Sequence, residues 1–357
     1  MSTFVSVVFA IILFSLLIFV HELGHFLTAK AFKVRVNEFA MFMGPAIFKK
    51  QIGETLYSIR CIPMGGYCAM EGEDEDTDDP RSFQKAKWWK RLIILVAGAF
   101  MNFIAGLLLF AIVFIPMKEM GIPIIDSFTD ESLVCGTEGL QVGDRILKID
   151  GEKIYVLSDF TMILSLNGGE KHDIVVLRDN QEILLEDFDM KTYEVTDEAG
   201  NQHRLYGINF SKIVPTFGEK IRYVWDYSID NIRNVRMSLQ MLFTGRAGLK
   251  DMSGAVGIVA IMSDAASTSE TWKDAMITMF YFCGFLAVNL AVMNLLPIPA
   301  LDGGRVFALL VITAIQSITK KKIDPKYEAY IHGAGMVLLL AFMALITFKD
   351  IFTIFKG

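Results

Sequence analysis

The sequence predicts a polytopic α-helical membrane protein of about four transmembrane helices. A membrane-associated β-hairpin and an inserted extracytoplasmic α+β domain complete the fold class. Three observations predict it. The 357 residues are 53% hydrophobic with a mean hydropathy of +0.43, too apolar for an ordinary soluble chain. The apolar residues are gathered into long runs. Between the runs lie segments of β-like alternation punctuated by Gly and Asp.

Four stretches qualify as spans. Residues 4–26 open with FVSVVFAIILFSLLIFV, which has nothing more polar than two serines. Residues 92–116 carry one Asn and no charge. Residues 275–300 form a third run, broken by Pro297 and Pro299. Residues 333–348 are short for a span and need help from their flanks. Residues 306–316 are shorter still and predict a buried or interfacial helix. The first run lacks a basic leader and a small-residue cleavage site, so it does not read as a signal peptide.

Basic residues set the expected topology. Lys30, Lys33, Arg35, Lys49, Lys50, Arg60 and five more lie between the first two spans, and Lys320, Lys321, Lys322 and Lys326 precede the last. The positive-inside rule puts both segments in the cytoplasm and the region from about 117 to 270 outside. Residues 118–210 hold 8 Lys and Arg against 19 Asp and Glu, a balance not drawn to nucleic acid or anionic lipid. The boundaries expected are 1–116 for the first two spans and hairpin, 117–212 for the inserted domain, 213–270 for a helix and linker, and 271–357 for the last spans.

Residues 51–70 (QIGETLYSIRCIPMGGYCAM) alternate like strands, with Gly65-Gly66 expected as the turn. In 172–190 a second hairpin is expected to turn at Asp179-Asn180. Residues 217–250 have helical spacing with a mixed charged face, suiting either an amphipathic helix at the outer membrane surface or a plain linker helix. The four cysteines give no zinc or disulfide pattern and are expected as packed or free thiols.

The chemistry lies in HELGH, residues 21–25, at the end of the first apolar run. At about 100° per residue, positions i and i+4 are about 40° apart on a helix. His21 and His25 can then share one metal ion, with Glu22 beside them to take a proton from a water on it. Ionisable residues at that depth are rarely tolerated without a use. A zinc site needs a third ligand. His172 and His203 lie in the outside domain and His332 starts the last span. Asp302, in NLLPIPALDGG (294–304), is the better candidate, because the same topology brings it to the inner end of the third span.

The phrase GLQVGDRILKIDG (139–151) closely resembles PDZ domains, which add an extended peptide to a sheet edge. HExxH in the first span, Asn-x-x-Pro-x-Pro-x-Leu-Asp-Gly in the third, and a PDZ-like domain between spans two and three together resemble the site-2 protease family. These are zinc intramembrane metalloproteases, and the bacterial sigma-factor-regulating branch is the nearest likeness. FMGP (42–45), RCIPMGGY (60–67), DDPRSF (78–83), AGAFMNF (97–103) and MSGAVGI (252–258) support it.

The resemblance implies one Zn2+ held by His21, His25 and Asp302, with Glu22 as general base. It implies that Asn294 helps hold the substrate backbone. It further implies that the hairpin at 60–67, with Gly65 and Gly66, pairs with an unwound substrate near the irregular Pro297 and Pro299 segment. Expected partners are single-span membrane proteins already shortened outside, with a peptide or substrate C-terminus at the PDZ-like domain. The expected location is the inner cell membrane, with the site near its cytoplasmic face. Ala99 and Ala255 stand where the family more often has Pro. Two other readings, a membrane-anchored protease for soluble substrates and a PDZ scaffold with a vestigial site, fit less well with HExxH inside a span and an intact metal set.

Overall fold

The computed structural model describes residues 3–73, 75, 77–129, 139–167, 171–190, 193–196, 202–246, 248, 252–320 and 326–356. Cys135, and part of the segment before Gly139, lie outside them. The described cysteines are free thiols, Cys61 exposed and Cys68 and Cys283 buried. The chain divides into two compact units, one of Met1–Val113 with Asn234–Gly357 and one of Phe114–Arg233.

The first unit starts with α1 (Thr3–Ala31), β1 (Val36–Ile52), β2 (Thr55–Met70) and α2 (Trp88–Phe114). Four helices are long and apolar enough to cross a membrane: Phe4–Ala31, Trp88–Phe114, Trp272–Asn294 and Tyr330–Thr353. Their outer faces keep large apolar side chains exposed, such as Ile12, Leu108, Val337 and Leu338. In water such a surface would drive aggregation, whereas in lipid it is the solvent-facing side. The chain is a multi-pass membrane protein.

β1 and β2 form a hairpin whose turn is not at Gly65-Gly66. Ile52 faces Thr55, so the two-residue turn is Gly53-Glu54, with Gly53 at φ 61°. Gly65 and Gly66 lie within β2. Gly65, at φ 80°, leaves room for Met43, whose Cε would be 2.9 Å from an added Cβ. A Gly-Gly pair serves a close backbone approach inside a strand as readily as it serves a turn. The hairpin is also longer than expected, because Val36–Ile52 is its first strand.

β1 pairs twice. Residues 38–41 face 66–69 and also 56–59, while 48–52 face 55–59. The segments therefore lie side by side in the order 48–52, 55–59, 38–41, 66–69, and no other described strand pairs with 66–69. Glu38 holds the bend in β1 together: it accepts from Ser58 Oγ at 2.6 Å and Arg60 Nη2 at 2.8 Å, and Arg60 Nη1 donates to Gly44 O.

The second unit is an antiparallel sheet with a helix. It contains β3 (Met120–Phe128), β4 (Arg145–Ile149), β5 (Glu152–Lys153), α3 (Leu157–Asn167), β6 (Lys171–Arg178), β7 (Gln181–Asp189), β8 (Tyr193–Thr196), β9 (Gln202–Leu205) and β10 (Ile208–Ile213). The sheet order is β10-β3-β4-β6-β7, with β5 on β4 and β8-β9 a separate pair. Asp179 and Asn180 take positive φ between β6 and β7, the primed turn that their sequence calls for. Ile125, Ile146, Ile149, Ile163 and Ile174 are fully buried between sheet and helix. The buried Asp144 receives Nε and Nη2 of Arg178, each at 2.7 Å.

α4 (Phe217–Phe243) contains the boundary between the units, and α5 (Ala255–Ser267), α6 (Trp272–Asn294), α7 (Asp302–Thr319) and α8 (Lys326–Lys356) complete the chain. α6 ends at Asn294 and not near 300, ahead of the prolines. α8 is much longer than the apolar run 333–348 because two charged residues near its end are satisfied internally. Asp350 Oδ2 accepts from Gly254 N at 2.8 Å and Gly257 N at 3.0 Å, and Lys349 Nζ donates to Met252 O. A carboxylate on α8 thus caps α5, whose own N-cap residue, Gly254, has no side chain to do so.

Two cores fix the unit. Ala10, Leu13 and Leu17 of α1 pack with Met262 and Ala266 of α5 and Met279, Cys283 and Ala287 of α6. Ala29, Val36, Phe39, Met70, Ile94 and Leu309 join α1, the hairpin, α2 and α7. Asp350→Ala should remove the α5 cap and destabilise the unit by about 1–3 kcal/mol. Thermal unfolding in detergent is expected to show a lowered midpoint that Asp350→Asn, which keeps an acceptor, largely restores.

Candidate metal centre

Helical spacing puts His21 and His25 on one face of α1, one turn apart. Their Nε2 atoms are 3.2 Å apart. Asp302 Oδ2 lies 3.0 Å from His21 Nε2 and 3.2 Å from His25 Nε2. Among the described residues these three form a group able to hold a metal ion. The triangle is nearly equilateral. Tetrahedral zinc at about 2.0–2.1 Å from each ligand has ligand–ligand edges of about 3.3 Å, so the set fits zinc with a fourth position left over. Asp302 Oδ2 is also buried without a well-directed hydrogen bond, as suits an atom whose partner is a cation.

Two glycines bring Asp302 to this point. After α6 the chain folds back through Leu295–Leu301, with Ala300 at φ 80°, and re-enters a helix at Asp302. A Cβ at Gly303 would lie 2.3 Å from Leu296 O, and one at Gly304 2.3 Å from Ile298 O. Only glycine allows the first turn of α7 to press on its own incoming loop. Pro299 packs against the α8 backbone, where a Cβ on Gly335 would be 2.4 Å from its ring. Ala300 N donates to His332 Nδ1 at 3.2 Å. Pro297 is exposed.

The sequence reading missed what α2 contributes. His25 Nδ1 lies 2.8 Å from Ile94 O. That carbonyl accepts Nδ1–H and leaves Nε2 free for a metal. Gly98, one turn on, makes the approach possible: a Cβ there would lie 2.3 Å from His25 Nε2 and 2.8 Å from His21 Cε1. Gly24 serves the same close packing from α1, where a Cβ would be 2.4 Å from Ala97 O. One further turn along α2, Asn102 Nδ2 is 3.4 Å from His21 Nδ1. Asn294 Nδ2, at the end of α6, is 3.5 Å from the same atom. The motif AGAFMNF contained Gly98 and Asn102, but nothing in it marks which face of α2 meets the histidines.

Glu22 sits beside the triad against the outer segment of the hairpin. A Cβ on Gly66 would be 3.4 Å from Glu22 Cγ, so the Glu22 side chain packs on this segment. A potential proton acceptor, a triad able to hold a metal ion and a strand edge that no other described strand pairs therefore share one place in the unit.

Gly98→Ala tests the geometry directly. The added methyl cannot fit without separating α2 from the histidines. Zinc measured by elemental analysis of the purified variant should fall to a small fraction of the wild-type content, while far-ultraviolet circular dichroism stays unchanged.

Comparison with known proteins shows the family of the chain. The model of peptidase family M50 matches residues 9–342. A protein of Clostridium perfringens whose name describes a zinc metalloprotease is 36% identical over 355 residues, covering 97% of this chain and 98% of the relative. A similarly named protein of Fusobacterium nucleatum is 34% identical over 355 residues, with 97% and 98% covered. The regulator of sigma-W protease RasP of Bacillus subtilis is 28% identical over 444 residues, with 99% of this chain and 100% of the relative covered. The chain belongs to peptidase family M50, the site-2 protease family that its motifs resemble.

Proposed function

We propose that this chain is a zinc-dependent intramembrane endopeptidase that hydrolyses peptide bonds within transmembrane segments of other membrane proteins. The observation that carries the reading is the His21–His25–Asp302 triangle, formed between α1, a helix of spanning length, and the first residue of α7, and adjoined by Glu22. The ligands are His21, His25 and Asp302, and the general base is Glu22. When bound, zinc supplies Lewis-acid polarisation of the scissile carbonyl and acidifies a water. Glu22 accepts the proton of that water and passes it to the leaving amine.

A helical substrate hides its amides in its own hydrogen bonds, so it must unwind before it is cut. The 66–69 segment supports a way to offset that cost. No other described strand pairs with its outer edge, which lies beside Glu22 and can take an extended substrate as an added strand. This shifts the pairing segment expected at 60–67 toward its C-terminal end, around Gly66. Asn294 amide groups would hold the substrate backbone from the opposite wall. Substrates of this kind include anti-sigma factors and remnant signal peptides, cut after prior shortening outside the membrane. The basic segments beside the spans support a site near the cytoplasmic face of the inner membrane, with the 117–212 domain outside.

That domain is read as PDZ-like. β10 is an edge strand, and between it and α3 lies a groove of about 460 Å³ lined by Leu157, Phe160, Thr161, Gly207, Ile208 and Phe210 among others. An apolar groove along a strand edge suits an extended peptide or a freed C-terminus.

Glu22→Gln should retain zinc and lose cleavage of a single-span model substrate by at least about 10²-fold. An unchanged rate in that variant would show that the base is elsewhere. Thr161→Tyr should fill the groove and weaken binding of an apolar C-terminal peptide to the full-length protein about tenfold or more. Calorimetric titration measures this, and unaltered affinity would remove the groove from the reading.

A further inference from the structure

α2 turns Ile94, Gly98 and Asn102 toward the HELGH turn at intervals of four residues. The first two have evident uses: one satisfies His25, and the other makes room for both rings. Asn102 is the third. It is 1% exposed, and its Oδ1 is buried with no hydrogen-bond partner. An orphaned buried oxygen is costly and rarely left without a reason.

The ring beside it supplies the reason. His21 directs Nε2 toward Asp302 and His25. A neutral imidazole has one N–H, so a ring that gives Nε2 to a metal keeps its proton on Nδ1 and becomes a donor there. Asn102 and Asn294 both bring Nδ2 to this atom, which sets donors against a donor. A half-turn of the Asn102 amide about χ2 exchanges its nitrogen and oxygen. The orphaned oxygen then meets Nδ1–H, and both groups are satisfied.

We propose that Asn102 is a positioning residue whose amide oxygen accepts the Nδ1–H of His21, fixing the tautomer that offers Nε2 to zinc. It does for His21 what the Ile94 carbonyl does for His25. The two asparagines then divide the work. Asn102, fully enclosed on α2, serves the ligand, and Asn294, less buried at the end of α6, is left free to serve substrate. The inference rests on the zinc reading above.

The test compares Asn102→Leu, which keeps the shape and loses the acceptor, with Asn102→Asp, which keeps an acceptor oxygen. Zinc affinity of the full-length protein in detergent is read by competition with a chromogenic chelator, and melting of the metal-free form is read with the metal removed. Asn102→Leu should bind zinc about 10–100-fold more weakly, and Asn102→Asp should stay within a few-fold of wild type, with similar metal-free melting temperatures. Wild-type zinc affinity in Asn102→Leu overturns the inference. So does an Asn102→Asp as weak as Asn102→Leu, or a loss of affinity that only tracks falling metal-free stability in both. A wild type that binds no zinc overturns the zinc reading as well, which separates the two failures.

Discussion

The constraint on which the rest depends is that polar groups at membrane depth must find their partners inside the protein. Three polar side chains in five residues of α1 would be prohibitive on a lone spanning helix. Here each has a neighbour. His25 has the Ile94 carbonyl and Asp302, His21 has Asp302 and two asparagines, and Glu22 packs on the hairpin at Gly66. The partners come from α2, the α6–α7 connection and the hairpin, so all three elements must close on α1 at one level. The proposed centre is thus a packing requirement of the unit as well as a chemical one.

Close closure explains the glycines. Gly24, Gly98, Gly303 and Gly304 each stand where a methyl group would lie 2.3–2.4 Å from a neighbouring atom. Their role is approach distance, and it differs from that of Gly53 or Gly65, whose positive φ matters. The same requirement acts elsewhere in the unit. Lys349 and Asp350 lie at the end of a spanning helix, and they are tolerated because the start of α5 takes up their hydrogen-bonding capacity. α5 in turn packs on α1 and α6, so a polar contact near one end steadies the helix that carries HELGH.

What the sequence made legible was whatever depends on short-range periodicity. HELGH declares its two histidines because i and i+4 share a helix face whatever surrounds them. The apolar runs declare the spans, and Asp179-Asn180 declares its turn. Asp302 was readable because topology and an irregular, glycine-bearing segment converged on it. The contributions of Ile94, Gly98 and Asn102 were not readable. Ile94 acts through its main chain, Gly98 through an absent side chain, and Asn102 through a ring 81 positions away. Gly65-Gly66 misled for a related reason, since a glycine pair signals local backbone freedom without saying whether a turn or a close neighbour uses it. The strand Val36–Ile52 was hidden because its pairing switches between two parts of β2, which breaks any simple alternation.

The double pairing of β1 has a mechanical consequence. If 66–69 were one arm of an isolated hairpin, adding a substrate strand to it would bend a flexible ribbon, because two strands alone are marginally stable. It is instead the outermost of four segments, backed by 38–41 and by a core shared with α1, α2 and α7. A strand held in that way offers its edge at a fixed distance from Glu22. In the proposed function the cost of unwinding a substrate helix would then be offset by main-chain pairing to a rigid partner, with the ordering cost on the enzyme side already met in folding. The 66–69 edge and the His21–His25–Asp302 triad are both held by the Phe39–Met70–Ile94–Leu309 core, so in the proposed function the placing and the cutting of a peptide would be set by one packed cluster.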